Sequence, residues 1–165
     1  MHNPFLLHPQ QLQKTWKDLR AEISTDMSLS QKLSLIQKFW NQAPIGSPFL
    51  DYLDTGSWPD PWTLIDSKNL DINSTALGMF YTLLLSDDKT WTGDRLRLLL
   101  LRNRQQCWER LICEIDHRWL LNYDRHRVVD ATEISDITCL HTYKYDMHRR
   151  RIAETDHYYM SQIGV

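Results

Sequence analysis

The first third of the chain carries apolar residues at the spacing of an α-helix. After Pro9, which suits a first helical turn, the apolar positions recur at three- and four-residue steps: Leu12, Trp16, Leu19 and Ile23. They predict an amphipathic helix over about 9–24. A serine at Ser28 or Ser30 can cap a second helix with the apolar face Leu33, Ile36, Phe39, Trp40 and Ala43. We expect the two helices to form an antiparallel hairpin.

Two further helices are predicted after a connector over 44–60. In WPDPW (residues 58–62), Asp60 is a suitable N-cap and Pro61 a suitable first residue, so a short helix should run from 61 to about 67. The most apolar stretch of the chain, 76–85, predicts a buried central helix that Asn73 or Ser74 would cap. Gly78 within it indicates that a neighbouring element approaches closely.

The periodicity changes to two after the polar residues 86–89. Alternating or continuous apolar segments predict four or five antiparallel strands, drawn from the ranges 95–102, 110–115, 119–123, 127–130, 137–145 and 152–160. Residues 105–115 also fit a helical face, so both assignments stay open there. The pattern predicts one α+β domain over 1–165, with a helical half at about 9–86 and a strand-rich half at about 94–160. The mostly antiparallel sheet should pack on the central helix.

Composition narrows the classes of function. The 165-residue chain has a net charge of −2 and only five glycines, so it favours neither nucleic-acid binding nor a nucleotide-binding glycine loop. No apolar run reaches the ~20 residues of a membrane span. Three cysteines without a CxxC pair indicate a reducing cytoplasm and no thiolate zinc site. Five His and Asp residues lie near the C-terminal end: His141, Asp146, His148, Asp156 and His157. Their spacing matches no metal site, so we expect the protein to bind neither a metal nor a cofactor.

One constellation of residues carries candidate chemistry. His117-Arg118-Trp119, followed by Asp130-Ala131-Thr132, resembles the H-x-W strand and the D-x-T strand end of the transglutaminase-like branch of the papain-like folds, over about 71–132. The resemblance implies a nucleophile at the start of the central helix, where Ser74 lies, with His117 as base and Asp130 as its orienter. The family's nucleophilic cysteine is absent from 71–77. The alternatives are a scaffold without activity and an ordinary hairpin with polar ends.

Three tryptophans are candidates for either packing or recognition. Trp58 and Trp62 flank the WPDPW corner, and Trp119 starts a predicted strand. Buried tryptophan more often packs a core than binds a ligand, so a structural clamp is the first interpretation of the corner. A partly open corner would make the same side chains a binding surface.

A broader resemblance covers about 1–130. The segments NPFLLHPQQLQKTWKDLR (3–20), WPDPWTLI (58–65), LGMFYTLLLSDD (77–88) and WLLNYDRHRVVD (119–130) resemble a small protein of T-even-like phages of marine cyanobacteria. This resemblance implies a viral accessory or assembly protein that acts through contacts with another protein, in the host cytoplasm or the virion. We therefore expect a non-enzymatic role first, with a transglutaminase-like hydrolase or transferase as the alternative.

Overall fold

Four helices precede an antiparallel sheet in the computed structural model, which describes residues 3–46, 50–67, 70–91 and 93–155. The helices are α1 (Pro9–Glu22), α2 (Leu29–Trp40), α3 (Pro61–Ser67) and α4 (Ile72–Leu84). Their order and positions confirm the α+β class and the four helices predicted from the periodicity. No helix within these ranges is long and apolar enough to cross a membrane.

The sheet has six strands in the order β4-β3-β2-β1-β5-β6, and all neighbours are antiparallel. The strands are β1 (Leu96–Asn103), β2 (Trp108–Ile115), β3 (Trp119–Leu121), β4 (Val129–Asp130), β5 (Ile137–Asp146) and β6 (Arg151–Thr155). The segment left open between helix and strand is therefore strand from residue 108 onward. The last predicted strand is described only to residue 155, and its remainder, 156–160, lies outside the described residues.

Side chains at the helix starts account for where the helices begin. Ser28 and Gln31 form a capping box on α2, and Asp60 accepts a hydrogen bond from Thr63 N (2.8 Å) at the start of α3. The cap of α4 differs from the expected Asn73 or Ser74. Asp71 takes that role, because its Oδ1 accepts hydrogen bonds from Ser74 N (2.7 Å) and Ser74 Oγ (2.6 Å). Asn73 and Ser74 consequently lie inside the first turn.

The close approach indicated by Gly78 is confirmed, and its neighbour is Trp40 of α2. A Cβ atom at position 78 would lie 2.5 Å from three atoms of the Trp40 ring. Directly above this contact, the hydroxyl of Thr82 accepts hydrogen bonds from the indole N–H groups of Trp16 and Trp40 (2.9 Å each). The same hydroxyl donates to the Gly78 carbonyl (2.7 Å). Helices α1, α2 and α4 therefore meet at one fully buried hydroxyl.

Both faces of the sheet are buried. One face packs against the helices through residues such as Leu98, Leu111 and Cys113. The other face holds a smaller apolar cluster that includes Leu99 and Ile112. This second face also contains a fully buried ion pair, in which Arg97 Nε donates to Glu114 Oε1 (2.7 Å). Because both sides are covered, β1 is buried at every position except Arg102, and four leucines follow one another at 98–101 instead of alternating with polar residues.

Replacing Gly78 with alanine should destabilise the protein by about 1–3 kcal/mol, because the new methyl group has no room beside the Trp40 ring. This loss exceeds the gain of ~1 kcal/mol that alanine brings to a helix interior. Urea denaturation followed by tryptophan fluorescence measures the difference. Gly56→Ala is the control, since the nearest atom to its added Cβ would be a side-chain oxygen at 3.4 Å. Equal stabilities of the two variants would contradict the packing argument.

Candidate functional site

The start of α4 is the part of the structure where a papain-like nucleophile would be expected, and it faces strand β2. Asn73 connects the two elements: its Oδ1 accepts a hydrogen bond from Leu111 N (2.9 Å), and its Nδ2 donates to the hydroxyl of Tyr52 (2.5 Å). Leu111 lies in the middle of β2, and Asn73 is 8% exposed. The amide of Asn73 therefore fills the space between the helix end and the sheet.

Asn122, directly after β3, closes the other side of this space. Its Nδ2 donates to the carbonyls of Ile72 (2.8 Å) and Leu111 (2.9 Å), so it links α4 to β2. Its Oδ1 lies 3.1 Å from the hydroxyl of Thr75. Asn122 has a φ of 72°, in the left-handed region that asparagine tolerates better than most residues. Its backbone N–H donates to Gln37 Oε1 of α2 (2.9 Å).

The resulting group of residues, Tyr52, Asn73, Thr75 and Asn122 with Gln37, is named here the amide network. Each member is a neutral amide or hydroxyl that hydrogen bonds to another member or to the main chain. Burial, followed by the charges of Asp71 and Glu109, raises the pKa of the Tyr52 phenol, so the hydroxyl stays protonated at neutral pH. The network therefore carries no net charge and holds no proton acceptor that titrates near neutral pH.

The three residues of the predicted triad have other hydrogen-bond partners. The Ser74 hydroxyl is 7% exposed and donates to the helix cap Asp71. His117 lies in the turn between β2 and β3 with a φ of 58°, and its Nδ1 is 3.0 Å from Arg97 Nη2. Asp130 ends β4 and accepts hydrogen bonds from Arg118 Nη2 (2.9 Å).

The geometry brings His117 and Asp130 to one end of the sheet, and Ser74 to a different place. Asp130 pairs with Trp119, the first residue after the turn that contains His117. Ser74 follows Asn73, which contacts Leu111, and His117 comes six residues after Leu111. At ~3.3 Å for each strand residue, the stretch from Leu111 to the end of β2 alone spans roughly 13 Å. The helix start instead faces Leu111 and Asn122.

The Asp130 carboxylate is bound by the guanidinium of Arg118. Hydrogen bonds from Arg118, followed by the Thr132 backbone N–H, hold the pKa of the Asp130 carboxyl at about 2. Asp130 Oδ1 accepts from Thr132 N (3.0 Å) and so caps the short 3-10 turn at Ala131–Glu133. The aspartate is thus ionised at neutral pH and bound to an arginine, next to a turn that it caps.

The three tryptophans proposed for recognition differ in exposure. Trp58 is 8% exposed, donates its indole N–H to the Asp51 carbonyl (2.7 Å) and packs against Tyr143. Trp58 is thus packed in the manner of the structural clamp, which the sequence predicts for both tryptophans at this corner. Trp62 is 50% exposed and lies edge-on against Trp16. Trp119 is partly buried, and the Arg118 guanidinium lies 4.6 Å from its ring centroid. A recognition role for any of the three stays a prediction.

The cysteines lie in or beside the sheet. Cys107 is exposed in the turn between β1 and β2, whereas Cys113 and Cys139 are buried in β2 and β5. Burial raises the pKa of both buried thiols. The sulfhydryl of Cys139 also lies 3.6 Å from the Thr142 hydroxyl. At neutral pH the two buried cysteines are therefore thiols rather than the thiolates that nucleophilic catalysis needs.

Sequence reasoning missed the two asparagines of the amide network. The sequence offers Asn73 as a helix cap or as one of the positions where the nucleophile would lie, and it places Asn122 within a predicted strand. A local signal for Asn122 exists, because asparagine is enriched at positions with positive φ where strands end. Its contacts with Ile72 and Gln37 span 50 and 85 residues of sequence, and periodicity carries no information about them.

Comparison with known proteins identifies a similar fold. No protein-family model and no curated protein matches the chain. Calcium-bound LapG of Legionella pneumophila matches with a TM-score of 0.66 at 14% identity, over 84% of this chain and 77% of that one. LapG from the same organism matches with a TM-score of 0.61 at 15% identity, over 80% and 72%. EGTA-treated LapG of Legionella pneumophila matches with a TM-score of 0.62 at 14% identity, over 86% of this chain and 79% of that one.

LapG has a transglutaminase-like/papain-like fold, and this chain shares that fold at low identity. This likeness is one of fold alone, and the resemblance of the motifs in 71–132 to this family stays a prediction, as does any activity. The resemblance to phage proteins finds no support in these comparisons and stays a prediction. In the four described ranges, no three His, Cys, Asp or Glu side chains are grouped to hold a metal ion such as the calcium of LapG. Asp156 and His157 lie outside those ranges.

Removing the Asn122 amide should destabilise the protein by about 2–3 kcal/mol, because the buried Leu111 carbonyl loses this donor and the Ile72 carbonyl keeps the Thr75 hydroxyl as its side-chain donor but loses the amide. Asn122→Gly tests the amide alone, since glycine accepts the positive φ. Asn122→Ala should lose roughly 1 kcal/mol more through left-handed strain. Urea denaturation of both variants measures these differences. A glycine variant as stable as the native protein would show that the network does not hold α4 on the sheet.

Proposed function

We propose that this chain is a transglutaminase-like/papain-like domain that has no catalytic activity and works by binding another protein. The observation that supports the proposal is the amide network at the start of α4. Thiol catalysis in this fold needs a cysteine at the helix start and an imidazole on the facing strand. Asn73 and Ser74 occupy the helix start here, and Leu111 is the facing strand residue.

The chemistry of these side chains argues against an activated nucleophile. A helix N-terminus favours an anion, which lowers the pKa of a thiol towards neutrality. A serine hydroxyl gains far less, and the Ser74 proton is donated to the Asp71 carboxylate at 2.6 Å. General base catalysis works best with a group whose pKa lies near the working pH, and amides do not titrate there. The hydrogen bonds of the amide network are consistent with a structural rather than a chemical use.

The remaining parts of the proposal come from the sequence. We propose a protein partner, a location in the cytoplasm, and no bound membrane, metal or cofactor. If the chain is encoded by a phage, that cytoplasm is the host's, and incorporation into the virion is the second possibility. Trp62, which is half exposed, and Trp119, which is partly buried, are the tryptophans that we propose as contacts for such a partner.

Alkylation of the thiols separates an inactive domain from a cysteine enzyme. With iodoacetamide near neutral pH, Cys107 should be modified because it is exposed, and Cys113 and Cys139 should be protected because burial raises their pKa. Intact-mass and peptide mass spectrometry identify the labelled residues. Unfolding in urea is the control and should make all three cysteines reactive. Fast labelling of Cys113 or Cys139 in the folded protein would contradict the proposal.

The catalytic alternative uses Ser74, His117 and Asp130, and the shared fold is the observation that favours testing it. We expect the native protein, Ser74→Ala and His117→Ala to hydrolyse an activated ester and a peptide anilide at the same background rate. Amine incorporation into a glutamine peptide tests transferase activity in the same series. Circular dichroism controls for folding of each variant. A native rate that falls by ~100-fold or more in both variants would establish the enzyme and overturn the inactive domain.

A further inference from the structure

A cleft lies beside the amide network, between the C-terminal part of α2 and the connection from β3 to β4. Residues of both elements and of the helix start line it in two adjoining parts that share Asn41 and Arg125. The charged side chains of the lining are Lys38, Arg110, Arg125 and Arg127, with His126 between the last two. None of the described lining residues is an aspartate or a glutamate.

Main-chain contacts hold two of these arginines in place. Asn41 Nδ2 donates to the Arg125 carbonyl, and Arg125 Nη2 in turn lies 3.5 Å from the Asn41 carbonyl. Arg110 Nη1 donates to the Tyr123 carbonyl (2.9 Å), and its guanidinium lies 4.6 Å from the Trp108 ring centroid. Burial lowers the pKa of Arg110, Tyr123 and Asp124 act in the opposite direction, and Arg125 adds the smallest effect by lowering it; arginine remains charged at any physiological pH.

Close ion pairs with carboxylates occur on one side of the cleft, at Arg127, and Asp124 also lies near enough to Arg110 to act on its charge. Arg127 lies 3.7 Å from Asp124 and 3.4 Å from Glu133. Across the described ranges, no carboxylate forms a salt bridge with Lys38, Arg110 or Arg125. The interior of the cleft is therefore positive, in a chain whose net charge is −2. A local excess of one sign in a concave site attracts ligands of the opposite sign.

We propose that this cleft binds an acidic peptide segment of a partner protein. Arg125 and Lys38 would form ion pairs with its carboxylates. Arg110, in the part of the cleft beside the start of α4, would add positive charge. The side chains of Ser34, Asn41 and Gln42 in the same lining offer the donors and acceptors that suit a peptide main chain. The inference rests on the proposed binding function and names the chemistry of its partner.

The lining favours a peptide over a nucleic acid. Single-stranded nucleic acids are held by aromatic rings on which the bases stack, and that stacking needs an exposed ring face. Among the described lining side chains Trp40 is the one Trp, Tyr or Phe, and it is 0% exposed, so that a single small ring, the exposed imidazole of His126, is left for stacking. A negative overall charge also opposes the long-range attraction that nucleic acids require. A short peptide with several carboxylates can pair with the three cations of the lining that form no salt bridge in the described ranges, Lys38, Arg110 and Arg125.

Fluorescence anisotropy of the full chain tests this proposal with a short labelled peptide in which Asp and Glu alternate with Gly and Ser. Its Asn/Gln counterpart and a labelled oligothymidylate are the comparison probes. We expect the acidic peptide to bind, the amide counterpart to bind ~10-fold or more weakly, and binding to fall as salt is added. Arg125→Gln and Lys38→Gln should each weaken it ~5-fold, and the double variant more. Circular dichroism controls for folding.

Arg149→Gln is the matched control, because Arg149 is an exposed arginine in the turn between β5 and β6, outside the cleft lining. It should leave the affinity unchanged. Three results would overturn the proposal: no binding of the acidic peptide, equal losses in Arg149→Gln and Arg125→Gln, or tighter binding of the oligonucleotide through the same residues. The absence of peptide binding would leave the inactive domain standing, since alkylation and turnover decide that question separately.

Discussion

The burial of α4 on every side is the constraint on which the rest of the structure depends. Eleven of its thirteen residues are buried, so each polar group on it must find a partner inside the protein. At one end, Thr82 uses both acceptor sites and its proton on Trp16, Trp40 and the Gly78 carbonyl. That single hydroxyl fixes the rotation of α4 against α1 and α2, and Gly78 allows the helices to approach.

The same constraint governs the other end of α4, where a catalytic site would lie in this fold. The Ile72 carbonyl of the first turn and the main-chain N–H and carbonyl of Leu111 on β2 meet the side chains of Asn73 and Asn122. These amides donate and accept at once, so they satisfy both elements without any buried charge. A thiolate and an imidazolium at this place would require solvent or a charged partner instead. The amide network therefore stabilises the junction of α4 and β2. Catalysis would instead require the start of α4 to be open to substrate.

Much of the fold follows from the sequence, because periodicity reports burial within one element. The helices were predictable in this way, whereas the cap at Asp60 and the close contact at Gly78 followed from the residue types at those two positions. Residues 105–115 were ambiguous because Leu111 and Ile115 satisfy both a helical and a strand spacing, and only pairing with β1 decides between them. The candidate site was less predictable, since the contact of Asn122 with Ile72 depends on where two distant segments meet.

The motif that suggested a catalytic triad consists of residues that have structural roles in this chain. His117 stands in a turn with a positive φ, where a polar residue is favoured, and Trp119 covers the partly exposed end of β3 beneath Arg118. Asp130 caps a 3-10 turn through Thr132, which is the structural use of an aspartate followed two residues later by threonine. In this chain these residue types form the ends of the hairpin. The same residue pattern can therefore occur in a catalytic and in a structural hairpin. The residues at the start of α4 distinguish these two cases.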